Sequence, residues 1–283
     1  MNATVAPEGH PVKFAAMLCL YINNDHLEVE AALKSAFHNQ SLKPDHLIAV
    51  FDGPVHPEVA RVIDDFEKEH SVTRVYHDAC KGHGPSRSAA IDACEHDWIA
   101  IVDADDVSKP HRFEATCSII KQYPDTAVVG GGITEFNTTE TLTSFGKTKS
   151  YPESPADVRR YLKARSPIAQ PASMLRVEAI KAVGNYMPWF NNEDYHLWIR
   201  LVSSGYELRN SPHSLIWFRT NPALFMRRGG WRYWLNETKL QFYSLRSGTT
   251  SLRYVVPGVA LRFVIQVMSP NKIRKYFYEN ILR

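Results

Sequence analysis

The amino-acid sequence predicts a doubly wound α/β fold with a mostly parallel sheet, followed by a helical C-terminal extension. Three observations carry that expectation. Short apolar runs alternate with helically spaced segments through roughly the first hundred residues, the pattern of successive βαβ units. The fourth run, Trp98-Ile-Ala-Ile-Val, leads directly into Asp103-Ala-Asp105-Asp106, at the strand end where such folds hold ligands. Beyond about residue 220 aromatic side chains interleave with arginines and lysines, and no Pro/Gly or composition cue marks an earlier boundary. The expected division is 12–220 for the α/β domain and 221–283 for the extension.

The elements follow in order. Lys13–Tyr21 is a buried strand, closed by Asn23-Asn24-Asp25. Leu27–His38 carries its apolar residues at helical spacing. His46–Phe51 is a second strand that stops at the turn sequence Asp52-Gly53-Pro54. Pro57–Glu69 is an amphipathic helix, Val72–Tyr76 a third strand, and Lys81-Gly82-His83-Gly84-Pro85 a basic loop opening a helix over Ser86–Cys94. After the central strand come a helix at His111–Tyr123 and a fifth strand at Ala127–Gly132. The glycines that end it, Gly130-Gly131-Gly132, would let a ligand approach the backbone. Phe136–Tyr151 reads as a hairpin or loop, Pro155–Arg165 as a helix, and Ser166–Leu175 as a loop passing into a short strand. Arg176–Val183 is a helix stopped by Gly184. Next, Asn191 or Asn192 caps a helix that Gly205 ends, with Glu193 and Asp194 in its first turn. Tyr206–Ser211 and Leu215–Arg219 are two further short strands.

Totals narrow the function. At 283 residues the chain can bury a full core, and 44% hydrophobic with 22% charged residues is ordinary for a globular protein. A net charge of +3 is too small to argue for nucleic acid, so no such partner is expected. Cys19, Cys80, Cys94 and Cys117 lack paired metal-ligand spacing. All but Cys80 lie in apolar contexts and are expected to be reduced and buried. Met1–Pro11 lacks the basic start and apolar core of a signal peptide. No stretch approaches the ~20 uninterrupted apolar residues of a membrane span. A cytoplasmic protein is the default expectation.

Four polar features fall at strand or helix ends: Asp52-Gly53, Lys81-Gly82 with Arg87, Asp103-Ala104-Asp105, and Glu193-Asp194. Three carboxylates as close as Asp103, Asp105 and Asp106 repel one another unless a cation lies among them. Mg²⁺ or Mn²⁺, which take hard oxygen ligands beside substrate phosphates, fit such a cluster. Asp52 is suited to a base or ribose, and Lys81 or Arg87 to phosphate. Each feature also has a plain structural reading: an acidic turn capping a helix, a turn former, a solvated loop, and charge at a helix N-terminus. Because the carboxyl ends of the strands lie along one edge, three of these features could face one cleft, and that co-location is what favours a site. The absence of Gly-x-Gly-x-x-Gly after the first strand, of Gly-x-x-x-x-Gly-Lys-Ser/Thr and of Gly-x-Ser-x-Gly disfavours a dinucleotide dehydrogenase, a P-loop enzyme and an α/β-hydrolase.

The chain resembles the inverting glycosyltransferases of family 2 with the GT-A fold, particularly those of bacterial exopolysaccharide and O-antigen synthesis. The matching stretches are Ala32-Leu33-Lys34-Ser35 with Gln40, Val50-Phe51-Asp52-Gly53-Pro54, Ile101-Val102-Asp103-Ala104-Asp105-Asp106, Glu193-Asp194-Tyr195-His196-Leu197-Trp198-Ile199-Arg200, and Arg227-Arg228-Gly229-Gly230. The resemblance implies a nucleotide-sugar donor, by default a UDP-hexose, and Mn²⁺ or Mg²⁺. Leu20, Tyr21, Asp52, Lys81, Arg87, Asp103, Ala104 and Asp105 would lie at the nucleotide, Asp52 at its uracil or ribose. Asp105, with Asp103, would hold the metal, and Asp194 would be the general base. Gly131, Gln170, Glu193, Trp198, Arg227 and Arg228 would face the sugar or acceptor. Two departures stand out. Ser86-Arg87-Ser88-Ala89-Ala90 replaces the usual Ala-Arg-Asn-x-Gly, so only Arg87 carries over, and Gln170-Pro171-Ala172-Ser173 stands where relatives often have His-Pro-Ser. Two rivals share parts of this signature: a sugar-phosphate nucleotidyltransferase, and a catalytically silent carbohydrate-binding scaffold of the same fold.

The extension interleaves Trp231, Tyr233, Trp234, Phe242 and Tyr243 with Arg227, Arg228, Arg232, Lys239 and Arg246. Its apolar run Tyr254–Met268 is broken by Pro257, Gly258, Arg262 and Gln266 and is too short to span a bilayer. Such helices can lie on an anionic membrane surface, where a polyprenyl-diphosphate-linked glycan acceptor would sit. They can equally pack on the sheet or form a homodimer contact.

Overall fold

The computed structural model describes residues 12–138, 143–189, 191–220 and 229–270. Its centre is a nine-stranded sheet ordered β3-β2-β1-β4-β8-β6-β9-β5, with β7 paired to β6. The parallel half holds β1 (Phe14–Leu20), β2 (His46–Asp52), β3 (Val72–His77) and β4 (Trp98–Val102). Central Met17 on β1 pairs with Ile48 on one side and Ile101 on the other. Except at the edge strand β3, both faces of these strands are buried, which is why they read as unbroken apolar runs.

The other half is mixed. The short β8 (Met174–Arg176) runs antiparallel to both β4 and β6 (Thr126–Thr138), while β9 (Glu207–Arg219) is parallel to β6. β5 (Val107–Ser108) and β7 (Thr143–Lys149) add antiparallel edges. Two expectations change here. β6 continues through its glycines instead of ending at them, and the two strands expected after Gly205 form the single strand β9. The glycines are explained by β9. A Cβ on Gly131 would lie 2.4 Å from the Leu215 side chain, and one on Gly130 2.4 Å from Asn210 Oδ1. They admit a neighbouring strand, not a ligand.

Helices cover both faces. On one lie α1 (His26–Leu33), which continues as a π turn over Lys34–His38, α2 (Pro57–Glu67) and α4 (Arg112–Gln122). Asp25 caps α1 by accepting the N–H groups of Leu27 and Glu28, and Pro57 opens α2 where its missing N–H costs nothing. On the other lie α3 (His83–Asp92), α5 (Pro155–Leu162), α6 (Val177–Ala182) and α7 (Glu193–Ser203). The extension forms α8 (Trp231–Arg246) and α9 (Leu252–Phe263). Leu240 of α8 joins the α7 side of the core, and Tyr243 packs edge-on to His196, so these helices do pack on the domain. No helix among the described residues is long and apolar enough to cross a membrane.

Candidate active site

β4 delivers Asp103, Asp105 and Asp106 to the carboxyl edge of the parallel half. The turn is braced from below by Arg112, a buried residue that donates to the Ile101 carbonyl and to Ser108 Oγ, the latter at 3.0 Å. From the β9 side, Arg219 donates its backbone N–H to Asp106 Oδ1 (2.8 Å) and its Nε–H to the Asp105 carbonyl (2.9 Å). Burial, then the charge of Asp103, pushes the Asp105 carboxyl up to about 6. Burial, then Asp103 and Asp105, raises Asp106 well above the carboxylate range, and its Oδ2 is buried without a partner. Arg219 and Arg112 offset only part of this mutual repulsion, and an acid loop so crowded suits a divalent cation.

Asp52, at the end of β2, has a different task. Its Oδ1 accepts from His77 Nδ1 (3.0 Å) and the Lys81 N–H (2.8 Å), and its Oδ2 from Cys80 Sγ (3.2 Å) and the Gly82 N–H (2.8 Å). Burial alone would raise its pKa, but the Lys81, His77, Cys80 and Gly82 donors outweigh it and hold the carboxyl below its ordinary value. Asp52 thus organises the loop ahead of α3 with all of its usual acceptor positions engaged. Lys81 contributes its backbone while its side chain is exposed. Gly82, at φ +90, supplies the left-handed turn into α3, which begins at His83, earlier than the expected Ser86.

Arg87, in α3, joins the two acid groups. It is buried, donating Nη1–H to Glu193 Oε1 at 2.7 Å and Nη2–H to Asp103 Oδ1 at 3.3 Å. Although burial disfavours its charge, Asp103 and Glu193 hold its pKa above the ordinary value. Glu193 is therefore answered and Asp194 is not. Burial, then the Glu193 charge, lifts the Asp194 carboxyl to about 6, against the Tyr195 N–H, Arg87 and its own N–H. Asp194 opens into a cavity of about 430 Å³ whose wall also includes Arg87, Glu193, Asn192, Gln170 and Lys149. Asn192 occupies the position before α7, but its side chain caps nothing, and its Nδ2 is buried without a partner. That differs from the expected cap and leaves a donor at the cavity wall.

The predicted residues separate into those the fold assembles and those it does not. Arg87 joins Asp103 to Glu193, and Asp194 follows Glu193 in the first turn of α7. Arg87, Glu193, Asp194 and Gln170 line the cavity, whereas Asp103 and Asp105 are not among its lining residues. Tyr21 lies near the cavity's His83, ring to ring at 6.3 Å. Leu20 and Ala104 are buried in the core, leaving at most backbone for a ligand. Trp198 is 0% exposed within α7 and faces the core, so it cannot touch an acceptor. Gly131 packs under Leu215 and does not line the cavity. Arg227 and Arg228 lie outside the described residues. Sequence reasoning missed Arg219, which locks the acid loop, and Arg165, Tyr233, Glu237 and Arg262, which wall the cavity. Arg219 was at least visible as the last residue of an expected strand. The others depend on how the chain closes.

The architecture defines a class. Solved structures with the same fold include Staphylococcus aureus TarS 1–349 in complex with UDP-GlcNAc, at TM-score 0.66 and 13% identity, covering 95% of this chain and 76% of that one. Another is the mannosyltransferase PcManGT from Pyrobaculum calidifontis in complex with GDP-Man and Mn²⁺, at TM-score 0.60 and 12% identity, covering 95% and 80%. The fold is that of GT-A glycosyltransferases. The family described as "Glycosyltransferase like family 2" matches residues 12–230, and the chain belongs to it as a glycosyltransferase. Similar relatives include the amylovoran biosynthesis glycosyltransferase AmsE of Erwinia amylovora, 27% identical across 94% of this chain and 98% of AmsE. The Escherichia coli UDP-Gal:alpha-D-GlcNAc-diphosphoundecaprenol beta-1,3-galactosyltransferase is also 27% identical, across 96% of this chain and 97% of the relative.

Proposed function

We propose that the protein transfers a hexose from a UDP-sugar to a hydroxyl of a lipid-linked glycan, with inversion, in bacterial exopolysaccharide or O-antigen synthesis. The observation that carries this reading is Asp194, a carboxyl poised near 6 at the cavity wall and tied through Glu193 and Arg87 to Asp103 of the acid loop. The names of the Erwinia and E. coli relatives support the pathway, the UDP donor and the lipid-linked acceptor. Residues 12–220 form the catalytic domain in this reading and 221–283 an extension.

Asp105 and Asp103 would hold Mn²⁺ or Mg²⁺, which when bound stabilises charge on the leaving diphosphate. Arg87 keeps Glu193 and Asp103 in place. Asp52 shapes the loop that borders the nucleotide. Asp194 takes the acceptor hydroxyl's proton as that oxygen bonds to the sugar's anomeric carbon, opposite the departing diphosphate. One base is enough, and a pKa near neutrality is suited to it. The test is UDP release with UDP-sugars and a panel of acceptors, with and without Mn²⁺. Release of UDP together with an inverted glycoside supports the assignment. Pyrophosphate from a nucleoside triphosphate and sugar phosphate would replace it with a nucleotidyltransferase, and no turnover with any pair would favour a binding scaffold.

The extension supports a place at the inner face of the membrane. Trp231 (55% exposed), Phe242 (50%), Val256 (63%) and Met268 (66%) show apolar surface to solvent. Residues 229–270 hold five basic side chains (Arg232, Lys239, Arg246, Arg253, Arg262) against the single acid Glu237. Such a surface suits an anionic bilayer. Co-sedimentation with anionic vesicles, lost on Trp231→Glu with Phe242→Glu, is the expected result. Unchanged sedimentation would leave these helices as packing or a homodimer contact.

A further inference from the structure

The cavity next to Asp194 has a cationic wall that the chemistry at Asp194 does not use. Arg165 and Arg262 line it beside Ser166. Arg262 is answered by Glu237 at 3.1 Å and donates to the Ala164 carbonyl at 2.9 Å. Arg165 is different. Among the described residues no carboxylate lies within ion-pair distance of it, and its guanidinium rests over the Tyr161 ring at 5.3 Å.

The backbone leading into it is fixed from three directions. The carbonyls that end α5 are taken by Tyr195 Oη on Leu162 (2.6 Å), Thr250 Oγ1 on Lys163 (2.9 Å) and Arg262 on Ala164. Helix α7, the α8–α9 connection and α9 therefore converge on the segment that presents Arg165. A guanidinium without a carboxylate, on anchored backbone in a concave wall, is prepared for an anion. Its planar fork suits phosphate in particular. In the reading above, the donor's diphosphate belongs to the acid loop, whose aspartates are not among the residues that line this cavity. The anion at Arg165 must then come from the other substrate.

We propose that Arg165, seconded by Arg262, binds the diphosphate that links the acceptor glycan to its lipid. The proposal rests on the lipid-linked acceptor reading. It explains why α9 contributes to the cavity wall with its inner side while presenting apolar side chains outward. The diphosphate would lie between the sugar at Asp194 and the lipid at the membrane.

Two measurements test it on the full chain. The first is calorimetric binding of farnesyl diphosphate, and separately farnesol, with UDP and Mn²⁺ saturating so that the donor site is blocked. Wild type should bind the diphosphate, Arg165→Gln should bind it about 10- to 100-fold more weakly, and Arg165→Lys should fall between them. Equal binding by wild type and Arg165→Gln, or binding that UDP abolishes, overturns the proposal. The second compares kcat/KM for glycosyl-diphosphate-alkyl acceptors with the matching alkyl glycosides. The ratio should fall about tenfold or more in Arg165→Gln. An unchanged ratio refutes the role of Arg165 while leaving a lipid-linked acceptor in place. A wild-type enzyme that prefers the phosphate-free glycosides refutes both.

Discussion

The acid loop after β4 and the acid pair that opens α7 are both carboxylate clusters, yet the fold treats them in opposite ways. At Asp103-Ala104-Asp105-Asp106 negative charge is concentrated, and Asp105 and Asp106 are both raised by burial and by their neighbours. At Glu193-Asp194 the charge is divided: both residues line the cavity, but Arg87 takes Glu193 at 2.7 Å, and Asp194 is left without a cation of its own, with a pKa near 6. The difference teaches what each can do. A crowded cluster suits a cation, whereas a single carboxyl titrating near neutrality suits proton transfer.

The largest expected effect separates the two roles. Asp194→Asn should lower kcat by about 10²–10⁴-fold while donor binding, read by thermal shift with UDP-sugar and Mn²⁺, persists. Asp105→Asn should instead abolish the Mn²⁺-dependent part of that shift. Chelation of wild type should reproduce the second defect, removing the Mn²⁺-dependent shift and turnover with it, whereas Asp194→Asn loses turnover alone. A normal turnover number for Asp194→Asn would end the base assignment.

Next in size is the bridge between the clusters. Arg87→Met leaves Glu193 and Asp103 facing each other without their shared cation, and it should destabilise the chain by about 3–5 kcal/mol, measured by urea unfolding. A loss below about 1 kcal/mol would mean that water or rearrangement supplies what Arg87 does.

The same geometry sets two pH dependences of opposite sign. Asp194 is raised in the folded state, so the folded chain keeps a proton that the unfolded chain releases at lower pH. Its contribution is full below the unfolded value of about 4 and is lost as pH rises through about 6. Turnover should rise through the same window as the base ionises. Asp52 is lowered, so its contribution is present above the ordinary carboxylate range and is lost as pH falls through its depressed folded value. Asp52→Asn should cost about 1–3 kcal/mol near neutral pH, because an amide nitrogen would face a donor. The cost should shrink in acid, as denaturant melts at two pH values would show.

Much of this was legible before the fold was known. The parallel half announced itself because strands buried on both faces become unbroken apolar runs, and their ends place Asp52 and Asp103 without further information. Asp194 was legible as a carboxylate in the first turn of a helix. What could not be read depends on closure of the chain. The glycines of β6 looked like a ligand approach because the sequence does not reveal that Leu215 and Asn210 fill that space. Helix α7 is buried all round from Tyr195 to Val202, His196 and Arg200 included, so its polar positions did not mark a solvent face from which the direction of Trp198 could be read. Arg165 follows an ordinary amphipathic helix, and only the convergence of Tyr195, Thr250 and Arg262 on the three carbonyls before it distinguishes it.

The smallest effect sharpens the contrast between the cavity wall and the core beneath it. Trp198 shares its helix with Asp194 but is fully buried, and its Nε1–H has no hydrogen-bond partner. Trp198→Phe removes ring volume, at a cost of roughly 1–3 kcal/mol if the cavity stays empty. It also removes a buried donor that makes no bond, which returns about 1 kcal/mol or more. The net change in stability should be at most about 2 kcal/mol, and kcat/KM should stay within about twofold because no substrate atom reaches the ring. A larger loss of kcat/KM, with KM for the acceptor raised and the melting temperature unchanged, would mean that α7 turns this side chain toward the substrate, and the separation drawn between its two faces would be wrong.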